Sequence, residues 1–516
     1  MLYTCIKRII FDWTVYGHYI HTSGIFYSLL IRKQVKMSNL SKSAASKQPS
    51  NLPGDNITEK PSGEQHTQTP KNNKMGTMPV NRLLITMSVP MMISMLVQAL
   101  YNIVDSMFVA HVSEDALTAL SYAFPLQTLM IAVGVGTAVG VNAILSKALG
   151  AKDYDRANKV AVNGIFLSVI SFLVFMIIGF TFVGPFYRFQ TSNQDIITYG
   201  TDYLSIVMCI SIGIFLQTMF ERLLTSTGRT LLTMCTQGTG ALINIILDPI
   251  LIFGYCGMPK LGVKGAAIAT VVGQIVAAVF ALILNLKKNP EIKISFKGFK
   301  PSGEIIRTIY VIGLPSIIMQ SIGSVMVFLM NRILGAINET AVTVFGVYFK
   351  LQSFIFMPIF GLNSGLVPII AYNYGARKKD RLMKAWKLAW FYATAIMLIG
   401  VAAFELMPKL LLQIFKASDN LLLLGTPALR IIGIHFPVAA FCIVTGTLFQ
   451  ALGKSVYSMV TSIMRQLVVL LPAAYLLSLS QNVDLVWWSF PIAEVMSAAV
   501  TIIYFIRINK KIIQKL

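Results

Sequence analysis

The chain has 516 residues, of which 55% are hydrophobic and only 12% are charged. A typical soluble protein is about a quarter charged, so this chain cannot cover the surfaces of soluble domains. The same composition excludes collagen, a coiled coil and a disordered chain, and it indicates an integral membrane protein. The net charge of +22 would favour nucleic-acid binding in a soluble protein. Here the positions of the basic residues along the chain indicate membrane topology instead, as described below.

Residues 1–78 differ from the rest of the chain. Residues 37–78 are rich in Ser, Asn, Lys, Thr, Pro and Gly with almost no aromatics, a composition that cannot bury a core. No stretch of residues 1–36 is long and apolar enough to span a bilayer. We therefore predict a poorly structured cytoplasmic tail over 1–78, with the functional chain beginning near Met37 or Met75. The alternative is an interfacial amphipathic anchor in residues 1–36.

Apolar segments long enough to span a bilayer recur from residue 79 onward. They cover 85–109, 116–145, 160–183, 203–220, 231–253, 263–286, 310–334, 341–370, 385–408, 426–449, 456–480 and 486–507. The segments lack the period-2 alternation of strands and are longer than the strands of a membrane barrel. The sequence therefore predicts an all-α polytopic membrane protein with twelve transmembrane helices.

Lys and Arg are concentrated in the connections after the even-numbered helices, whereas the other connections are close to neutral. The positive-inside rule then places both termini in the cytoplasm. We interpret the basic excess as a topology signal that also attracts anionic lipid, so we expect the bilayer as a partner and no nucleic acid. Glu221, Arg222 and Arg229 fall at a cytoplasmic connection, and we interpret them as solvent-exposed topology charges.

The second half of the chain repeats the first. At a constant offset, identical residues pair as follows: Pro90 with Pro315, Gln127 with Gln352, Gly136 with Gly361, Gly140 with Gly365, and Gly150-Ala151 with Gly375-Ala376. Six helices in each half give both halves the same orientation, which predicts a pseudo-two-fold axis along the membrane normal and a central cavity at the seam. We predict an amino-terminal lobe (79–290), a cytoplasmic linker (291–309) and a carboxy-terminal lobe with a short basic tail (310–516). This organisation is typical of alternating-access transporters.

No constellation of a soluble enzyme is present in the sequence. The chain lacks a phosphate-binding loop, paired cysteines and a His-Glu-x-x-His motif, which are the usual signatures of nucleotide and metal chemistry. A polytopic membrane enzyme is the alternative from another class, and it would need clustered His, Asp, Glu or Arg at one membrane face. We therefore predict that the protein is not an enzyme and uses no cofactor.

Charged residues inside predicted helices are candidate functional residues, because each costs roughly 2.5–3.5 kcal/mol at a helix centre on insertion scales. Among them we single out Asp105, Asp248, Glu494 and Lys350. Asp105 shares one face of helix 1 with Gln98 and Tyr101, although it is close enough to the outer end for solvation to be an alternative. Glu494 could meet a cationic substrate or pair with Lys350.

Asn244 and Asp248 lie four residues apart and are neighbours on one face of helix 5. Pro249 cannot donate to a carbonyl of the preceding turn, so carboxylate, amide and carbonyl oxygens come together. Such a set suits a hard cation or a proton; the alternative is an Asp that only caps the helix. In the repeat Asp105 aligns with Met330 and Asp248 with Ala473, which predicts that ion coupling resides in the first half.

Four motifs combine along the membrane domain: Pro90 … Gln98-x-x-Tyr101-Asn102-x-x-Asp105, Gly150-Ala151-Lys152-Asp153, Gly228-Arg229-Thr230 and Asn244-x-x-x-Asp248-Pro249. Together they resemble the multidrug and toxin extrusion (MATE) family over about residues 80–510. The resemblance implies two six-helix lobes around a central cavity and cation-driven drug export. It also implies an amino-lobe cation site at Asp105, Asn244, Asp248 and Thr270. Some members carry acidic residues in helices 7 and 10, which here have none, so we expect no second-lobe site.

We therefore predict a secondary active multidrug exporter that exchanges H⁺ or Na⁺ for lipophilic or cationic drugs. A cation would neutralise Asp105 and Asp248 and change the preferred conformation of helix 1, with Pro90 as its hinge. The predicted substrate cavity is lined by Gln98, Tyr101, Gln127, Gln352 and Glu494. Na⁺ at Asp105, Asn244 and Asp248 is the only metal ion that we expect.

The runner-up within transport is a flippase for a lipid-linked oligosaccharide, from the same superfamily. Its cavity would need several cationic residues to meet pyrophosphate, and the membrane domain offers Lys350 and little else. For the exporter we expect a monomer in the bacterial inner membrane, with drug-like small molecules as its other partners.

Overall fold

The computed structural model describes residues 73–415 and 418–516. Ten of its helices are long and apolar enough to cross a membrane, and two bent helix pairs bring the number to as many as twelve. The prediction of an all-α polytopic fold is confirmed. Of the predicted tail, residues 1–72 lie outside the described residues.

We number the twelve spans in chain order. They are α1 (Val80–Ala110), α2 (Glu114–Gly150), α3 (Tyr154–Thr181), α4 (Gln194–Cys209 with Ile212–Ser226), α5 (Thr230–Phe253), α6 (Val263–Lys288), α7 (Gly303–Gly335), α8 (Glu339–Gly375), α9 (Lys379–Leu406), α10 (Asp419–Gly433 with Phe436–Ala451), α11 (Ser455–Ser478) and α12 (Ser489–Lys511). Short helices cover Lys74–Thr77, Val183–Gln190, Pro408–Gln413 and Val483–Trp487.

The described residues form one compact unit apart from residues 254–259. Those six residues belong to a different unit and contain the 3₁₀ turn Tyr255–Gly257.

The spans α4 and α10 are bent by 45° and 49° between their two pieces. Both are longer than the predicted segments 203–220 and 426–449, because polar residues near their ends interrupt the apolar run. In α4 the helix continues through Glu221 to Ser226. This longer span changes the interpretation of the charges at its end, as described below.

Residues 73–78, which we call the lead segment, are ordered. The side chain of Asn73 caps a short helix by accepting a hydrogen bond from the backbone N–H of Met75, and Met75 is fully buried. Our assignment of 73–78 to the poorly structured tail was therefore wrong at this boundary. Residues 37–78 are mostly polar, and the burial of one methionine at the end of such a region is not detectable from composition.

The first helix of each half packs against the other half. The span α1 contacts α8 as well as α5, and α7 contacts α2. Repeated glycines lie at these crossings: a side chain at Gly365 would collide with Ser88 of α1, and one at Gly140 would collide with the backbone of Ile309 in α7. Small residues allow helix backbones to approach closely, which explains why the glycines recur in both halves.

The two halves also meet where α2 and α8 end. A side chain at Gly150 would collide with the backbone oxygen of Tyr372, and one at Gly375 would collide with the backbone oxygen of Lys147. The two contacts are reciprocal, as the repeat requires. The lead segment and the predicted linker also lie here. We call this the basic end of the bundle, because our topology prediction places the basic connections at this end.

Candidate functional site

Three of the predicted cation-site residues are joined by hydrogen bonds in the first half. The amide nitrogen Nδ2 of Asn244 lies 3.4 Å from Oδ1 of Asp248 and 3.3 Å from Oγ1 of Thr270. Asp248 is fully buried and Asn244 nearly so. The four-residue spacing on α5 therefore places the amide and the carboxylate side by side as expected, and α6 supplies the hydroxyl.

Asp105 of α1 completes this group. Its carboxyl group lies within hydrogen-bonding reach of the carboxyl group of Asp248. Three oxygens have no partner among the described residues: Oδ1 of Asp105, Oδ1 of Asn244 and Oδ2 of Asp248. We call Asp105, Asn244, Asp248 and Thr270 the oxygen cluster. A buried oxygen without a hydrogen bond raises the free energy of the folded protein. A proton or a hard cation bound at these oxygens would therefore stabilise the cluster.

Tyrosines surround the oxygen cluster. Tyr101 and Tyr203 both lie within electrostatic range of Asp105 and Asp248. The hydroxyl of Tyr203 accepts a hydrogen bond from Nε2 of Gln127 at 3.1 Å. Gln127, predicted as a substrate-cavity residue, therefore lies in the shell next to the cluster.

A cavity with about 1010 Å³ of empty space, part of it open to solvent, adjoins the oxygen cluster. Asn244 and Thr270 belong to its wall, as do the predicted residues Gln98 and Tyr101. Every residue of this wall comes from α1, α2, α4, α5 or α6. The cavity therefore lies within the first half and not at the seam between halves, where we expected the central cavity.

Glu221 lies in the same cavity wall and is 5% exposed. Its carboxylate accepts hydrogen bonds from Gln217 at 3.0 Å, Thr236 at 3.1 Å and Gln237 at 2.8 Å. Within the described chain no basic side chain lies at ion-pair distance from it. Our interpretation of Glu221 as a solvent-exposed topology charge is therefore wrong.

Sequence reasoning missed Glu221 because the predicted helix 4 ended one residue before it. A usable signal was present: Gln217 and Glu221 are four residues apart and so share a helix face. Arg222 also lines the cavity, which contradicts its interpretation as a surface charge.

Two other predicted cavity residues lie in the second half. Gln352 is half-buried in α8, and Glu494 is buried in α12. Neither belongs to the wall of the cavity described above. Lys350, the alternative partner of Glu494, is exposed and lies 6.0 Å from the ring centroid of Phe415.

Glu494 pairs with Arg465 instead. The guanidinium Nη1 of Arg465 lies 3.3 Å from Oε2 of Glu494. Arg465 sits on a π-helical turn, Met464–Leu470, within α11. The buried ring of His435, at the bend of α10, stacks near Phe490 with ring centroids 6.1 Å apart. Arg465 was inside predicted helix 11, so counting every basic residue within the span would have found it.

Pro90 lies inside α1, which runs without a break from Val80 to Ala110. The proline is half-buried. Its role as a hinge stays a prediction.

Comparisons with known proteins bear on the family and the fold of the chain. The model of the MatE family matches residues 90–250 and 315–476, one stretch in each half. The multidrug export protein MepA of Staphylococcus haemolyticus (strain JCSC1435) is 27% identical over 433 residues, covering 83% of this chain and 94% of that protein. MepA of Staphylococcus aureus (strain MRSA252) is 25% identical over 432 residues, with the same shares covered.

Solved structures resemble the chain over most of its length. An outward-facing multidrug resistance MATE family transporter of the MOP superfamily superposes with a TM-score of 0.81 at 26% identity, covering 87% of this chain and all of that one. A MOP superfamily transporter from Pyrococcus furiosus Vc1, described as having a binding pocket of reverse polarity, superposes with a TM-score of 0.80 at 26% identity over 86% of this chain and 99% of that one.

Proposed function

Because this chain belongs to the MatE family, we propose that it is a secondary active multidrug exporter that exchanges a cation, H⁺ or Na⁺, for lipophilic cationic drugs. The observation that carries the proposal is the continuity between the oxygen cluster and the cavity. Asn244 and Thr270 belong to both. A cation bound at the cluster and a drug in the cavity would therefore influence each other directly.

The coupling follows from electrostatics. Two carboxylates this close in a low-dielectric site repel each other when both are ionised. A proton or Na⁺ entering the oxygen cluster removes that repulsion. Since Asp105 is on α1 and Asp248 is on α5, relief of the repulsion lets α1 take a different position against α5, with Pro90 as the hinge. The movement of α1 would reshape the cavity and release the drug.

Glu221 is our candidate for the group that holds the positive charge of a drug. Its three hydrogen-bond donors are neutral, so its negative charge is solvated but not neutralised. Met91 and Met95 line the same cavity. Flexible thioethers adapt to different apolar ligands, so the cavity combines a fixed acid with adaptable apolar contacts.

The flippase alternative is not favoured. The described cavity wall contains one acid, Glu221, and one base, Arg222. A pyrophosphate-linked substrate would need several cations, because each phosphate oxygen requires a charged or strongly donating partner.

We propose the bacterial inner membrane as the location, with the basic end and both termini in the cytoplasm. The basic connections support this orientation. We also propose that the monomer is the working unit, because the cavity and the oxygen cluster are built from one chain.

Reconstituted vesicles loaded with a fluorescent lipophilic cation such as ethidium test the proposal. Efflux should be driven by a pH gradient or by a Na⁺ gradient imposed alone, and the effective gradient identifies the ion. The Glu221→Gln variant should weaken ethidium binding about 10–100-fold, which corresponds to the roughly 1.5–3 kcal/mol of a charged hydrogen bond. Binding of an uncharged dye should change little.

The matched control is Asp202→Asn, which removes a carboxylate from a partly exposed pair with Lys264 at 3.2 Å. Surface pairs of this kind contribute little, so the control should transport ethidium like the parent. Absence of efflux under both gradients, with correctly folded protein, would refute the exporter proposal. Equal binding losses in Glu221→Gln and Asp202→Asn would refute the role of Glu221.

A further inference from the structure

The lead segment bonds to the first half of the chain through one residue. The amide nitrogen of Asn73 donates to Oε2 of Glu291 at 2.6 Å and to the backbone oxygen of Thr227 at 3.4 Å. Glu291 follows α6 and Thr227 follows α4. Burial raises the pKa of the Glu291 carboxyl group, and the hydrogen bond from Asn73 and the charges of Arg229 and Lys74 oppose that rise. The contact therefore holds a partly desolvated carboxylate.

The lead segment bonds to the second half through more residues. The guanidinium Nη2 of Arg381 donates to the backbone oxygens of Met75 at 3.1 Å and Met78 at 2.7 Å. The amide nitrogen of Asn373 donates to the oxygen of Met75 at 3.3 Å, and Nζ of Lys378 donates to the oxygen of Gly76 at 3.0 Å. Hydrogen bonds from charged donors are the stronger kind.

The side chains of the lead segment pack against both halves. The side chain of Met75 is fully buried in the hydrophobic core that contains the interior of the second half, together with Leu83 and Leu84 at the start of α1. Burial of a large apolar side chain is strongly stabilising. On the side of the first half, the side chains of Lys74 and Met75 lie against Gly228, which precedes α5. Close by, Thr230 donates a hydrogen bond of 3.4 Å to the backbone oxygen of Thr86 in α1.

We propose that the lead segment is a latch at the basic end, fixed to the second half and released from the ends of α4 and α6 whenever the transporter opens at that end. The proposal rests on the proposed function, because only an alternating-access cycle requires this end to open. A segment bonded to both halves cannot keep both sets of bonds when the halves separate. The contact at Glu291 has fewer hydrogen bonds and includes a carboxylate that regains hydration on release, so this contact breaks.

Cysteine cross-linking on the full chain tests which contact must break. One variant carries Asn73→Cys and Glu291→Cys, and its matched control carries Thr77→Cys and Lys378→Cys; Thr77 and Lys378 line one cavity at the basic end. Both pairs are joined by a reducible bis-maleimide, and variants that carry only one of the two introduced cysteines, together with the parent chain, give the background from the native cysteines. Cross-linking the first pair should lower ethidium efflux at least 10-fold, with recovery on reduction. The second cross-link should leave efflux within about 2-fold.

Full efflux with the first pair completely cross-linked would overturn the latch. Loss of efflux on cross-linking the second pair would overturn its attachment to the second half.

A second measurement needs no drug, so it separates failure of the latch from failure of the export proposal. Thr230 is 1% exposed, and a Thr230→Cys variant reports opening between α5 and the start of α1. Labelling by a membrane-impermeant maleimide from the basic end should rise several-fold when Glu291→Gln is added. It should not rise with Glu304→Gln, which changes an exposed acid at the start of α7. Equal labelling in all three proteins would refute the latch.

Discussion

Asp105 and Asp248 reach one point from two different helices, and this geometry makes their charges interdependent. Neither carboxylate has a basic partner at ion-pair distance within the described residues, and each keeps one oxygen without a hydrogen bond. Groups coupled in this way take up protons as a pair. Removing the charge of either member therefore removes the repulsion on which the proposed exchange cycle depends.

We predict that Asp105→Asn and Asp248→Asn each abolish efflux against a gradient while substrate binding is retained, because Glu221 and the cavity wall remain. The double variant should be little worse than either single one. Efflux rates of the four proteins in vesicles test this prediction. Two modest losses that simply multiply would show that the carboxylates act independently.

Glu494 illustrates a residue whose partner sequence reasoning did not identify. We predict that Glu494→Gln leaves ion-dependence intact but destabilises the protein, because Arg465 is left without its counter-charge. The cost should fall below the roughly 3–5 kcal/mol of a fully buried pair, since 28% of the Arg465 side chain is exposed. Adding Arg465→Met should recover most of the melting temperature. Loss of ion-dependence in folded Glu494→Gln would place coupling in the second half too.

Residue spacing predicted part of the site and could not predict the rest. The pair Asn244 and Asp248 was recognisable because both polar residues lie on one helix face inside an apolar span. Thr270 came only from the family resemblance, since a single threonine in an alanine-rich helix carries no pattern. Arg465 was overlooked although it lies inside a predicted span, and its partner Glu494 was recognised.

Among the helical elements, the lead segment is short, and tertiary contacts stabilise its helix. Its short helix Lys74–Thr77 would not persist alone, because isolated helices shorter than about 12–15 residues are marginal in water. The contacts of Met75 and Arg381 hold it in place. Its stability is therefore tertiary in origin, which is why composition alone assigned it to the tail.

We predict that a chain beginning with Met followed by Asn73 inserts and transports like the full chain, because every lead-segment contact is kept. A chain beginning with Met followed by Pro79 should melt several degrees lower and transport more slowly, since the burial of Met75 is lost. Melting curves and efflux rates of the three chains give the comparison. A loss in the longer truncated chain equal to that in the shorter one would show that residues before Asn73 are needed, as an interfacial anchor would be.

The bounds of the helices differed from prediction where polar residues lie near the ends of a span. The predicted helix 4 began after Asp202 and ended before Glu221, whereas α4 runs from Gln194 to Ser226. Hydropathy treats a buried acid as the end of a helix, because it cannot register the three donors that solvate Glu221. The spans without an acid, such as α6, were predicted to within two residues.

Across the whole molecule, the repeated glycines define where the two halves touch. Identical residues at Gly150 and Gly375 were visible in the sequence, but only the fold shows that each meets the backbone of the other half. The sequence therefore predicted the repeat, but it did not predict which backbone each glycine contacts. That contact depends on how the helices cross, which no local pattern encodes.

We predict that Gly150→Ala destabilises the closed basic end by about 1–3 kcal/mol, because the added methyl group forces the backbone of Tyr372 to move. The matched control is Gly346→Ala in α8, where an added Cβ meets nothing within 4 Å. The control should be neutral or stabilising by up to ~1 kcal/mol. Melting temperatures of the purified proteins test this, and equal values for the two variants would contradict the contact.

The exchange of α1 and α7 between halves has a consequence for biosynthesis. The face of α1 that carries Ser88 is covered by α8, and α8 begins only at Glu339. At about 5–20 residues per second, a ribosome reaches that residue on the order of tens of seconds after α1. During this interval α1 has its neighbour α5 but faces lipid on the side that later meets α8. The packing around α1 is therefore completed only when the helices of the second half have been inserted.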